Sequence, residues 1–197
     1  MRASLTLTVI AALLAVFFRP LFHAPAVRAG TALRLEIPEL VDGSALVLEG
    51  RILSADAIET TDGLIETIYQ IAVDETYFGQ DQYNRSVRIP GGVLEDGRGM
   101  LLAGMPRLTV GEDALLFLSA AGDRGVRVPI GLSQGRFRIV TSLDGSKVAV
   151  RDQGDLGLVD PVTGAIVSAD SSYVRDYADL KAEVVAAVSA KRAGAGE

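Results

Sequence analysis

Residues 88–99 read RIPGGVLEDGRG, and they decide between two folds. A glycine-rich loop that leads from a strand into a helix cradles phosphate in an α/β protein. The same glycines between two strands only turn the chain of a β protein. A phosphate loop needs Gly-x4-Gly-Lys-Ser/Thr, so that backbone N–H groups, a lysine and a hydroxyl meet the phosphates. Here neither lysine nor hydroxyl follows Gly97 or Gly99, and Glu95 and Asp96 repel an anion. A dinucleotide loop needs Gly-x-Gly-x-x-Gly inside a βαβ unit; Gly92, Gly97 and Gly99 lack that spacing. Val87 and Ile89 alternate with Ser86 and Arg88, and Pro90 cannot donate to a ladder. The stretch reads as a strand-ending turn with left-handed glycines, and the fold as a β fold.

The flanking segments agree. Upstream, SALVLEGRILSA (44–55) opens as a strand covered on both faces, with Gly50 marking a bulge or bend. Tyr69, Ile71 and Val73 alternate with polar or small residues after the Asp62-Gly63 turn, which predicts a hairpin. Downstream, Val110 to Asp113 is a turn before ALLFL (114–118), a fully buried central strand, whereas MLLAGM (100–105) fits either a helical turn or a strand. Gly122 to Gly125 turns the chain into an alternating run at Val126, Val128 and Ile130. Residues 135–139 (GRFRI) alternate too, which places Arg136 and Arg138 on a wet face. Asp144-Gly145 and the Asp160 to Gly164 turn each signal a hairpin. Only the C-terminus steps by three and four, at Tyr173, Tyr177, Leu180, Val184 and Val188, one face of a helix. Ser171 or Ser172 is the expected N-cap, and Lys191-Arg192 suits the C-terminal end.

Residues 1–29 have a positive start, an apolar run over 5–18 and a proline-broken end in small residues, the layout of a secretory signal peptide. Cleavage is expected after Ala29, with Ala26 as the alternative, and the run is short against the roughly 20 residues that span a bilayer. Export would leave 16 basic and 25 acidic residues, a net charge of −9. That acidity argues against nucleic acid as a partner. The chain has no cysteine, and its one histidine, His23, lies in the leader. Cysteine nucleophiles, Ser-His-Asp triads, imidazole bases and the usual zinc sites are thereby excluded from the exported part, and no cofactor is expected. Adjacent acids at Glu95-Asp96 and Glu112-Asp113 point apart on a strand, and the spacing of Asp152, Asp155 and Asp160 is not an EF-hand. These acids read as solvated turns. Tyr69, Tyr77 and Tyr83 lie in one stretch without a basic groove and read as core and rim residues.

Pro90-Gly91-Gly92, the Gly104-x-Pro-x-x-x-Val110-Gly111-Glu112 run into LLFL, and Gly131-Leu132-Ser133-Gln134-Gly135-Arg136-Phe137 resemble a group of exported bacterial proteins of uncharacterised function. That resemblance spans about residues 40–140 and implies no activity. The Val-Gly-Glu turn before an apolar strand also looks like the OB barrel of netrin and metalloproteinase-inhibitor domains. Those inhibitors chelate zinc through an N-terminal cysteine; with none here, the likeness implies the barrel and not the mechanism.

The expected fold is mainly β: a small OB-like or half-open β-barrel with a hairpin extension and a C-terminal packing helix. The expected layout is a signal peptide (1–29), a lead-in (30–43), the barrel core (44–140), the hairpin extension (141–170), the helix (171–192) and a frayed tail (193–197). The expected function is an exported, periplasmic or extracellular, non-catalytic binding module for a protein or glycan of the cell envelope. Its ligand or partner would meet the loops carrying Gly91, Gly92, Glu95 and Asp96, and Gly131 and Gln134. The rival from another class is a carboxylate-based hydrolase of envelope glycan, with Glu49 or Glu75 converging on Glu112 across roughly 5–9.5 Å.

Overall fold

The computed structural model describes residues 30–152, 156–167 and 173–196. The expected signal peptide, Asp155, Ser171 and Ser172 lie outside the described residues. The chain is mainly β. Its strands are β1 (Gly30–Leu33), β2 (Leu46–Glu59), β3 (Ile65–Phe78), β4 (Asn84–Pro90), β5 (Gly92–Val93), β6 (Gly99–Met100), β7 (Asp113–Leu118), β8 (Arg136–Thr141), β9 (Lys147–Arg151), β10 (Leu156–Val159), β11 (Ile166–Val167) and β12 (Tyr173–Asp176). The helices are α1 (Ile37–Gly43) and α2 (Tyr177–Gly194). No helix among the described residues is long and apolar enough to cross a membrane.

A seven-stranded sheet in the order β12-β9-β8-β7-β2-β3-β4 organises the molecule, antiparallel throughout. It is not closed into a barrel. The segment expected to form a strand at Val126, Val128 and Ile130 instead makes two single bridges, Arg88 with Val126 and Leu118 with Pro129. Pro129 lacks the N–H that a continuing ladder would use, so the sheet curls without a sealing strand.

Strand β7 explains the layering. Ala114, Leu116 and Leu118 join Leu46, Leu48, Ile52, Tyr69, Ile71, Val87 and Ile89 in a core inside the curl. Leu115 and Phe117 point the other way, into a second core with Phe137, Ile139, Ala149 and both helices. A continuous apolar run is what a strand with two buried faces requires.

Strand β3 carries two extra residues against β2. Asp74 is extra between the Gly50–Val73 and Glu49–Glu75 pairs, and Tyr77 between the Leu48–Thr76 and Val47–Phe78 pairs. Gly50 sits at the first of these bulges, where an ideal Cβ would lie 2.2 Å from the Ala72 carbonyl oxygen. The bend expected at Gly50 is there, and only glycine fits it.

Several boundaries differ from expectation. The lead-in contains α1, which opens with the Glu36 N–H donating to Glu39 Oε2 at 3.0 Å. Residues 141–170 do not form one extension. Strand β9 belongs to the main sheet, while β10 pairs with β11 and, in parallel, with β1. Helix α2 is capped by Asp176, whose Oδ1 accepts from the N–H groups of Ala178 and Asp179. Tyr173 belongs to β12 and not to the helix. After Met100, residues 101–112 run without helix or strand, so neither reading of MLLAGM holds beyond its first residue.

Candidate functional site

The loop that opened the question is a pinned hairpin. Gly91 and Gly92 have φ of +92° and +150°, and the Thr67 hydroxyl donates to the Gly91 carbonyl at 2.6 Å. An ideal Cβ on Gly92 would lie 2.4 Å from Thr67 Oγ1. Beyond them β5 pairs with β6. Arg98 grips Glu59 with two bonds of 2.9 and 2.7 Å and Asp96 with one of 2.9 Å. The arginine therefore balances the loop's acidity, while Glu95 is exposed.

Gln134 is fully buried. Its Nε2 donates to the Leu33 carbonyl at 2.8 Å, and its Oε1 accepts from the Leu35 N–H at 2.9 Å. Gly131 turns the chain at φ +65° beside Leu35. Both amide ends of Gln134 are thus engaged in holding the segment after β1. The two loops sit at different ends of the sheet. Gly92 lies against Ala57 and Gly135 against Phe117, which is paired with Val47. About ten residues of β2 separate those contacts, on the order of 30 Å of strand.

The acids do not converge as hydrolysis would need. Glu49 faces Glu75 directly across β2 and β3 on the helix-covered side. Glu49 accepts from the Tyr77 hydroxyl at 3.0 Å and from the Tyr177 hydroxyl at 2.8 and 2.9 Å, while Glu75 accepts from Lys181 at 2.5 Å. Glu49 is 6% exposed, with its oxygens taken up by the two tyrosine hydroxyls. Burial and the adjacent Glu49 carboxylate push both tyrosine hydroxyls above their ordinary range. Glu112 lies on the opposite face, bound to Arg136, which shares a face with its β7 partner Leu116 inside the curl. The tyrosines separate likewise: Tyr69 is buried inside the curl, Tyr77 is buried under α2, and Tyr83 is exposed.

The concave polar surface is elsewhere. A depression of about 520 Å³ is lined by Arg107, Thr109, Gly111, Glu112, Arg136, Arg138 and Asp152. Arg136 and Arg138 alternate with Phe137 and Ile139 on β8, so the core that buries the aromatics turns both guanidinium groups to this side. Arg136 is not on a wet face as alternation alone predicts: it is buried, with Nε and Nη2 on the two Glu112 oxygens at 3.2 and 2.6 Å. That fork fixes its orientation. Arg107 and Arg138 are exposed and make no side-chain hydrogen bond or ion pair among the described residues. Beside the depression Asp113 pairs with Arg51 at 2.7 and 2.8 Å, so the adjacent acids at 112 and 113 each take their own arginine. The described residues hold no cluster of metal-ligating side chains. Asp160 caps its own turn, accepting from the N–H groups of Val162 and Thr163.

Sequence reasoning passed over Arg107 and Arg138. The usable signal was the RFR triplet, since two arginines flanking a core phenylalanine must share one face. A larger groove, between α1 and α2, is lined mainly by Pro38 and alanines together with Asp42, Glu183 and Lys191. Glu183 is held by Arg175, and Lys191 by carbonyls at the end of α1. No protein-family model, curated protein or solved structure matches the chain, so its chemistry has to be read from its own residues.

Proposed function

We propose that the chain is an exported, non-catalytic binding module, and that the arginine-lined depression takes an acidic group of a cell-envelope protein or glycan. The observation that carries this reading is the pair of exposed guanidinium groups, Arg107 and Arg138, with no ion pair among the described residues, beside a third that Glu112 holds rigid. Planar forks that match carboxylate and phosphate suit acidic ligands, and a local excess of arginine stands out in a chain of net charge −6. A carboxylate hydrolase would need two acids across one cleft, whereas Glu49 and Glu75 lie on the face opposite Glu112.

Binding of a uronic-acid oligosaccharide and of its methyl ester by the exported protein tests this. The acid form is expected to bind and to shift the amide resonances of Gly111 and Arg138. The Arg107→Ala/Arg138→Ala variant should bind at least tenfold more weakly, about 1.4 kcal/mol. Equal binding of the ester, unchanged binding by the variant, or release of new reducing ends would overturn the reading. Export carries its own check: the secreted protein should have the intact mass of a chain starting at Gly30, and a mass retaining residues 1–29 refutes cleavage.

A further inference from the structure

A different pair of arginines lies at the unsealed edge of the curl. Arg85, on β4, points inward with Val87 and Ile89 and is only 9% exposed. One of its Nη groups donates to the Gln80 carbonyl, and its Nε is buried with no hydrogen-bond partner among the described residues. Arg127 belongs to the bridging segment that lies beside β4, where its N–H donates to the Arg88 carbonyl at 2.8 Å. The Arg127 side chain, half-buried, donates to the Ser119 carbonyl at 2.6 Å. Neither guanidinium makes an ion pair among the described residues. Burial and the neighbouring Arg127 charge push Arg85 below the usual arginine range, with Asp81 only partly offsetting them, and burial does the same to Arg127. Thr76 adds, on β3, a buried hydroxyl with no hydrogen-bond partner among the described residues, in register with inward-facing Leu48.

Two half-sequestered cations that repel one another are an expensive arrangement. Elsewhere among the described residues, Arg34, Arg51, Arg88, Arg98, Arg124, Arg136 and Arg175 each reach a carboxylate. Arg107 and Arg138 are exposed, and buried Arg151 instead stacks on Phe137 and Tyr173 and donates to the Leu35 carbonyl. We infer that Arg85 and Arg127 form an oxyanion site between β4 and the 126–129 bridge, for a small free anion of the phosphate or carboxylate type. The small size follows from the burial of Arg85, which leaves no room for a bulky ligand. The anion would supply the acceptor that Arg85 Nε lacks and join the bridge to the sheet edge, where hydrogen bonding is sparse.

The test is thermal unfolding of the full chain at constant ionic strength, with phosphate, sulfate or acetate replacing chloride. Phosphate at a hundredfold excess over its dissociation constant should raise Tm by roughly 5–10 °C. A response to acetate alone would assign the site to carboxylates, and one to phosphate and sulfate to tetrahedral anions. Arg85→Met should abolish the response while melting no lower than wild type in chloride, because it replaces an unpaired buried charge with an apolar stem. Arg127→Gln, at a half-exposed position, keeps the test open if Arg85→Met fails to fold, and should weaken binding at least tenfold. A wild-type Tm that responds to none of the three anions beyond chloride, or a response that persists in Arg127→Gln, overturns the site.

Discussion

At the scale of single residues, charge decides more than hydrophobicity does. Glu49 is the clearest case, a carboxylate buried because two hydroxyls donate to it. The bulge at Asp74 sets Glu75 opposite Glu49, and the extra residue Tyr77 reaches the same carboxylate. Tyr177→Phe removes one donor and should cost about 2 kcal/mol, the range of hydrogen bonds to charged groups, in urea unfolding at pH 7. The pH dependence has a definite sign. Both hydroxyls are held above their ordinary value of about 10 by burial and by Glu49. The folded state thus keeps protons that the unfolded chain releases, and the stabilisation, complete below pH 10, is lost as pH rises beyond it. The advantage of wild type over Tyr177→Phe should therefore shrink between pH 9.5 and 11, and a constant difference would contradict the assignment. None of this was legible in the sequence. Glu49 lies 28 residues from Tyr77 and 128 from Tyr177, and no local pattern marks a pairing of that range. The arginines divide for the same reason: Arg136 and Arg107 look alike in sequence, and only the fold gives Glu112 to one of them.

Elements were legible where local chemistry alone specifies them. Period-two alternation located β3, β4 and β8, and Asp144-Gly145 located the β8–β9 turn, where Gly145 takes φ +84°. Helix α1 was missed because seven residues are too few for a periodic stripe, and its proline reads first as a breaker although Pro is tolerated in a first turn. What ends α1 comes from far along the chain. The Lys191 ammonium donates to the carbonyls of Val41, Asp42 and Ser44 at 2.9, 2.7 and 2.6 Å. It meets the negative end of α1 while sitting near the C-terminal end of its own helix. The basic pair expected only to suit α2 thus joins two helices, and Arg192 adds a bond of 2.9 Å to the Tyr77 carbonyl. Lys191→Met keeps the stem and removes the three donors. It should destabilise the protein by about 1.5–3 kcal/mol and speed amide exchange in α1 more than in β7. Equal acceleration in both elements would mean that Lys191 does not act on α1 specifically.

At the scale of the whole molecule, one sheet serves two cores. The run ALLFL announces that both faces of β7 are covered, but cannot say by what. The partners are the curled half of the same sheet on one side and two helices on the other. The parallel pairing of β1 with β10, Gly30 to Leu156, is equally invisible to a local reading, because parallel strands need a long crossover. The cores share β2 and β7, so a change on one face of these strands is felt by the core on the other. Leu116 and Phe117 are adjacent, both fully buried, and face opposite cores. Leu116→Ala should cost about 2–5 kcal/mol and Phe117→Ala about 3–5 kcal/mol, as large-to-small core substitutions do. The shared strands make a further demand: each variant should shift a single transition, with circular dichroism and tyrosine fluorescence coinciding. Tyr69 reports the curl and Tyr77 the helix side, so the fluorescence samples both cores. A transition that splits in Phe117→Ala, with helical signal lost before strand signal, would show that the helix layer melts independently and that β7 does not couple the two cores.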